Sequence, residues 1–186
     1  ALGHTYAENR HSNFLAFLLD PNGSHGLGDI VLRSVIQRAL KATSKPIDVI
    51  SFSMVDLDNT LVLREHQNID IFAVNDEKKF TLVIENKIRS TEHSRQLQRY
   101  REHVEREYAD YENIYLYLTP NSEEPSDENY LPFSYVEVAE IVERLVELPT
   151  NKISQNVRST LEQYLQILRR YIVSDEKMIE LARSYY

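Results

Sequence analysis

Two apolar segments in the middle of the chain, 68-NIDIFAV-74 and 80-FTLVIENK-87, flank the polar residues 75-NDEKK-79. Both are rich in Ile, Val and Phe, which favour extended structure, so they predict the two strands of a β-hairpin. Each strand carries one carboxylate within its apolar run, Asp70 in the first and Glu85 in the second. Burying a carboxylate is costly unless its charge is compensated. The hairpin therefore predicts a cation, a shared proton or a strong ion pair at these two acids.

The geometry of the predicted strands indicates which side chains meet. Side chains alternate between the two faces of a strand, so Glu85 and Lys87 share one face. A turn centred between residues 77 and 78 sets Asp70 opposite Glu85, with Cβ atoms about 5 Å apart. Two carboxylates this close repel each other unless a divalent cation lies between them, and Mg²⁺ and Mn²⁺ prefer oxygen ligands. Two alternatives stay open: an odd-length turn would break this register, and Lys87 could form an ordinary ion pair with Glu85.

The same residues resemble the motif of a known superfamily. Asp70 and 85-ENK-87 resemble the D…(D/E)-x-K motif of the PD-(D/E)xK nucleases, with Ile69 in place of the proline. Downstream, 96-QLQRY-100 matches the Q-x-x-x-Y motif of the RecB-like members. Upstream, Glu8 and segments 11–21 and 23–26 resemble the N-terminal helical region of an uncharacterised prokaryotic branch. The resemblance extends over residues 5–120.

This resemblance implies a metal-dependent nuclease that hydrolyses phosphodiester bonds and leaves a 5′-phosphate and a 3′-hydroxyl. It implies that one or two Mg²⁺ or Mn²⁺ ions are held by the side chains of Glu8, Asp70 and Glu85 and by the backbone carbonyl of Asn86. Glu8 has an alternative role, because 5-TYAE-8 is also a capping-box pattern. In that role its carboxylate would bond the backbone of Thr5 at the start of a helix.

The resemblance also implies roles for residues that do not bind metal. Lys87 would orient the attacking water or stabilise the transition state. Gln96 would position the nucleophile or a substrate phosphate. Tyr100 is an accessory candidate, since residues four apart share one face of a helix. His25 is another, because it could reach the site in the fold, although such histidines are more often found in turns or on the surface.

Composition narrows the class of protein. The chain has 186 residues, 42% hydrophobic and 27% charged, which predicts one globular domain spanning residues 1–186. The absence of cysteine excludes disulfides and thiolate zinc sites and fits a cytoplasmic location. No apolar run approaches the ~20 residues of a membrane span, so no membrane partner is expected. The sequence lacks a P-loop GK[ST], and it has neither serine-hydrolase elbow glycines nor an HExxH zinc motif.

The charge balance bears on the expected partner. A formal net charge of −8 argues against DNA binding through a generally basic surface. Basic residues nevertheless lie close in sequence to the motifs, namely Lys78, Lys79, Lys87, Arg89, Arg95, Arg99 and Arg101. They favour a local nucleic-acid cleft, although those on the following helix could equally form a solvated face.

Nucleic acid is therefore the expected substrate, DNA in preference to RNA, and a homodimer is left open. The expected setting is prokaryotic defence or a mobile element. The alternative function is a catalytically silent nuclease-like module that binds nucleic acid or a protein partner. The acidic balance favours that alternative, whereas the intact acid–acid–lysine set argues against it.

Hydrophobic periodicity predicts the order of the elements. Helices are expected from Thr5 to about residue 20, and over 29–41 with Ile30 facing inward. Strands are expected at 49–55 and 61–65, paired with each other, then at 114–118 and 135–136, with a loop over 120–132. Further helices are expected from residue 90, near 138–146, from 155 and from 174. The predicted fold class is α/β: a central mixed β-sheet flanked by helices, with a restriction-endonuclease-like core, an N-terminal helical pair and C-terminal helices.

Overall fold

The computed structural model of the protein describes residues 2–41, 55–88 and 95–173. Within these ranges one mixed sheet contains five strands in chain order: β1 (Leu61–His66), β2 (Ile69–Asn75), β3 (Phe80–Asn86), β4 (Glu112–Thr119) and β5 (Tyr130–Ser134). The first three strands are antiparallel neighbours, and β3, β4 and β5 run parallel. The predicted α/β class with a central mixed sheet is confirmed.

Helices cover both faces of this sheet. They are α1 (Leu2–Leu19), α2 (Ile30–Lys41), α3 (Gln96–Glu107), α4 (Tyr135–Val146) and α5 (Gln155–Leu168), which continues into a π-helical turn (Arg169–Val173). The larger core joins α1, α2, α4 and α5 to one face of the sheet. A smaller core holds α3 on the other face, where Leu97 and Val104 pack with Phe72 and Val83. In the part of the chain that the structure describes, no helix is long and apolar enough to cross a membrane.

The β2–β3 hairpin has the register expected from its sequence. Ile71 pairs with Ile84, and Asn75 pairs with Phe80. The Asn75 side chain closes the turn by accepting a 2.9 Å hydrogen bond from the backbone N–H of Lys78. The odd-length alternative is therefore excluded. Every residue of β3 is buried, so the strand that carries the E-x-K motif lies between two hydrophobic layers.

Two predicted element boundaries are wrong. Helix α1 begins at or before Leu2, so Thr5 lies inside it and 5-TYAE-8 is not a capping box. Residues 135–136 are the first turn of α4 rather than a strand, because Ser134 and Glu137 form a complete capping box there. Strand β5 occupies the end of the segment that was expected to be a loop.

One further prediction about a helix face is wrong, and several others fall on residues that the structure does not describe. Ile30 is 38% exposed rather than inward-facing, while Val31 and Leu40 of the same helix are buried. Strand β1 pairs with β2. Of the predicted strand 49–55 only Val55 is described, and it lies in a bend. The helix starts expected at residues 90 and 174 lie outside the described residues.

Candidate active site

The two acids of the hairpin lie at the end where β2 begins and β3 ends. In the observed register, Asp70 and Glu85 follow directly on the pair Ile71–Ile84. Asp70 is half-buried, and its Oδ2 accepts a 2.8 Å hydrogen bond from the backbone N–H of Asn86. Glu85 is only 1% exposed. The fold thus brings both carboxylates to the carboxyl end of β3, where Glu85 is also next to the parallel strand β4.

One oxygen of Glu85 is bonded twice and the other is unbonded. Lys87 Nζ lies 2.7 Å from Glu85 Oε1, and Gln96 Nε2 donates to the same oxygen over 2.9 Å. The Gln96 amide also donates to the Tyr100 hydroxyl, again at 2.9 Å. Among the described residues, Glu85 Oε2 and Gln96 Oε1 are both buried and have no hydrogen-bond partner. The Q-x-x-x-Y residues and the E-x-K residues therefore form one connected cluster.

A divalent cation fits the orphaned oxygen of Glu85. A buried acceptor without a partner is costly, and a hard cation is the kind of ligand that would satisfy a carboxylate oxygen. The described residues contain no group of three or more acids or histidines already arranged to hold an ion. Lys87 and Gln96 both contact Glu85 Oε1. Two acids, Asp70 and Glu85, thus form the centre of the candidate site.

Burial and mutual repulsion disturb the titration of this cluster. Burial, reinforced by the charge of Asp70, raises the pKa of Glu85 to about 7. Burial also raises the pKa of Asp70, although the Asn86 N–H and the charges of Lys87 and Arg64 oppose that shift. Burial alone would lower the pKa of Lys87, but the adjacent Glu85 carboxylate outweighs it and the pKa is raised. Lys87 is therefore a cation at neutral pH, while Glu85 is poised to gain or lose a proton.

Glu8 reaches the same end of β3 from helix α1. It is 8% exposed, and its Oε1 accepts a 2.9 Å hydrogen bond from the backbone N–H of Ile88. Its charge contributes to raising the pKa values of Asp70 and Glu85. Since Thr5 is inside α1, the capping role does not apply to Glu8. The structure thus places a third acid near enough for its charge to act on Asp70 and Glu85, although these described residues do not form a group of three acids arranged to hold a metal ion.

Asn86 occupies the opposite face of β3 and is tied to two helices. Its Nδ2 donates to Ser12 Oγ over 2.9 Å and to the Glu8 carbonyl over 3.3 Å. Its Oδ1 accepts a 2.9 Å hydrogen bond from the Tyr135 hydroxyl. Sequence reasoning missed Ser12 and Tyr135, because nothing in a single sequence links them to a residue 74 or 49 positions away.

His25 lies in the turn between α1 and α2. Its Nε2 is 2.9 Å from the Asp20 carbonyl, and its Nδ1 accepts from the Leu27 backbone N–H at the same distance. The ring also packs edge-on against Phe17, with 5.0 Å between ring centroids. Both ring nitrogens are therefore engaged in holding this turn.

The basic residues grouped in the sequence do not form one cluster in space. Lys79 stands at the far end of β3, about 20 Å along the strand from Glu85, and pairs with Asp110. Arg101 is held by Asp127 and Glu105. Of the described members of that group, Lys87 is the one that contacts the acids. Lys79 is therefore too far from these acids to contribute to a cleft beside them, and Arg89 lies outside the described residues.

An α/β sheet that carries two acids and a lysine at the end of a buried hairpin is the architecture of a restriction-endonuclease-like enzyme. The family model of the PD-(D/E)XK nuclease superfamily matches residues 1–186. The chain belongs to this superfamily. No curated protein and no solved structure shows a significant match to this chain.

Proposed function

We propose that the protein is a metal-dependent nuclease that hydrolyses phosphodiester bonds of nucleic acid, DNA in preference to RNA, with Mg²⁺ or Mn²⁺. The observation that carries the proposal is the buried Glu85 carboxylate beside Asp70, with Oε2 left without a partner. A structural ion pair would satisfy both oxygens, whereas here Lys87 and Gln96 converge on one. The superfamily supplies the reaction class.

Glu8, Asp70 and Glu85 would hold the cation together with the backbone carbonyl of Asn86. When bound, such a cation supplies positive charge beside the phosphate and makes water more acidic. Burial and mutual repulsion raise the pKa values of Asp70 and Glu85, and the charge of Glu8 adds to both shifts. The same repulsion favours occupation by a divalent cation at neutral pH.

Lys87 and Gln96 would act on the substrate side of the site. The raised pKa of Lys87 keeps its ammonium charged, so the residue stabilises negative charge or orients water and does not act as a base. The Gln96 amide is held at its nitrogen by Glu85 and Tyr100, which leaves Oε1 to accept a hydrogen bond from water. This Gln–Tyr–Glu connection supports placing the chain in the RecB-like subgroup. The proposed setting is cytoplasmic, in prokaryotic defence or a mobile element.

The test is a plasmid-nicking assay with Mg²⁺, Mn²⁺ or EDTA, run with wild-type protein and with Asp70→Ala. We expect nicking with metal, none in EDTA, and a loss of at least about a hundredfold in Asp70→Ala. Equal cleavage by a folded Asp70→Ala protein would contradict the site assignment. A single-stranded RNA of matched length tests the preference for DNA.

A second candidate function is a catalytically silent module that binds nucleic acid or a protein. The observation that favours it is that Lys87 and Gln96 already contact Glu85 Oε1, which leaves that oxygen less available to a cation. In that case the wild-type protein would retard DNA in a gel-shift assay without cutting it in either metal.

A further inference from the structure

The side chain of Asn86 is the centre of a buried polar network that joins three elements. Asn86 and Ser12 are at most 1% exposed and Tyr135 is fully buried. Both hydrogen-bonding groups of the Asn86 amide are used: Oδ1 by the Tyr135 hydroxyl, and Nδ2 by Ser12 Oγ and the Glu8 carbonyl. A polar network inside a hydrophobic core is favourable only when its members are satisfied, as these are.

The backbone of Asn86 connects this network to the proposed metal ligands. Its N–H donates to Asp70 Oδ2, and its neighbour Glu85 carries the buried carboxylate. Its Nδ2 reaches the carbonyl of Glu8, whose side chain bonds the N–H of Ile88 two residues further along. Asn86 therefore contacts two of the three acids directly and adjoins the third.

We propose that Tyr135 and Ser12 are positioning residues for the metal site, because they fix Asn86 and through it the relative placement of Glu8, Asp70 and Glu85. This inference rests on the proposed function. Groups that orient metal ligands without touching the metal commonly determine affinity, and their loss costs about 10- to 100-fold.

The orientation of the Asn86 amide depends on both partners. Reversing the amide would turn Oδ1 towards the Glu8 carbonyl oxygen, so the observed orientation is the one that avoids two facing acceptors. The Tyr135 hydroxyl is the donor in its 2.9 Å hydrogen bond, because the amide oxygen of Asn86 can only accept. The edge of the ring packs against His11, with 5.6 Å between centroids, which fixes its direction.

Removing the Tyr135 hydroxyl tests whether the orientation of the Asn86 amide affects the metal site. Tyr135→Phe keeps the buried ring and deletes one donor, so Asn86 Oδ1 loses the hydrogen bond from that hydroxyl while the core stays filled. Ser12→Ala deletes the acceptor on the other side. The matched control is Tyr115→Phe, because the Tyr115 hydroxyl is also buried but has no hydrogen-bond partner among the residues that the structure describes.

The experiment is calorimetric titration with Mn²⁺ of the full chain and these three variants, with thermal melts in EDTA to confirm folding. We expect Tyr135→Phe and Ser12→Ala to bind Mn²⁺ about 10- to 100-fold more weakly than wild type, and Tyr115→Phe to bind within twofold of it. Ser12→Ala decides the matter if Tyr135→Phe does not fold.

Three outcomes would overturn the inference, and they are distinguishable. If wild type binds Mn²⁺ and both network variants bind equally well, the positioning role falls while the metal site stands. If Tyr115→Phe is weakened as much as Tyr135→Phe, the effect is one of general packing. If the wild type itself binds no Mn²⁺, the metal site of the proposed function fails and this inference fails with it.

Discussion

At the scale of single residues, Glu85 is the acid at the centre of the candidate site. It is almost fully buried, lies beside Asp70, and is compensated on one oxygen only. Burial and Asp70 together raise its pKa to about 7. Without a cation the folded protein therefore holds a proton here at pH values where an unfolded chain has released it.

This shift predicts how stability depends on pH in EDTA. A folded-state pKa above the unfolded value contributes stability that is complete below pH ~4.3 and is lost as pH rises through the folded pKa. We expect the free energy of unfolding to fall by on the order of 1–3 kcal/mol between about pH 5 and pH 7.5. Glu85→Gln cannot titrate and should flatten that slope. Urea melts across this pH range measure it, and an unchanged slope in Glu85→Gln would contradict the assignment.

A substitution of Lys87 should affect turnover without affecting metal binding. Its ammonium contacts Glu85 but is not a metal ligand, so Lys87→Ala should leave Mn²⁺ affinity largely intact and lower kcat by about a hundredfold. Lys79→Ala is the control, because Lys79 pairs with Asp110 at the far end of the same strand. Calorimetry beside nicking rates separates the two effects. Lost affinity with normal turnover at saturating Mn²⁺ would refute this role.

At the scale of elements, two similar local patterns have opposite outcomes. Thr5–Glu8 and Ser134–Glu137 both fit the S/T-x-x-E capping pattern. The first lies within α1, whereas the second begins α4 with both reciprocal hydrogen bonds. The pattern alone does not reveal whether a helix has already begun upstream, and that is why a cap was predicted at Thr5 and missed at Ser134.

The motif hairpin could be predicted in detail because its determinants are local. Two β-branched runs and a turn of definite length set the register, and the register sets Asp70 beside Glu85. The position of Lys79 could not be foreseen, for the converse reason. Nearness in sequence puts Lys79 and Lys87 together, but an extended strand holds them at opposite ends of the sheet.

The docking of α1 on the end of β3 makes the role of Glu8 testable. Glu8→Gln keeps an oxygen that can accept the Ile88 N–H, so the contact between the two elements should survive. The substitution removes one negative charge from the site. We expect weaker Mn²⁺ binding by about tenfold or more with little change in the melting temperature in EDTA. Glu102→Gln, on the exposed side of α3, is the control, and normal Mn²⁺ affinity in Glu8→Gln would remove Glu8 from the ligand set.

At the scale of the whole molecule, the site is assembled from distant parts of the chain. Asp70 and Glu85 come from the hairpin, Gln96 from α3 and Glu8 from α1, and Tyr135 of α4 supports Asn86 from the other face of the sheet. Sequence reasoning named the candidates that carry a motif. It did not name Tyr135 or Ser12, because their hydrogen bonds to Asn86 depend on how α1 and α4 pack against one strand.

Because the site joins these elements, divalent metal should stabilise the entire fold. A cation that binds the folded state and not the unfolded chain adds RT ln(1 + [M]/Kd), about 2.7 kcal/mol at a hundredfold excess over Kd. For a chain of this size the melting temperature should rise by about 5–10 °C between EDTA and saturating Mn²⁺. The shift should be smaller at pH 6 than at pH 8, since the pKa of Glu85 is raised to about 7 and its proton competes with the cation. Asp70→Asn should shrink the shift at both pH values. Identical melting temperatures in EDTA and Mn²⁺ at pH 8 would exclude a metal site between these acids.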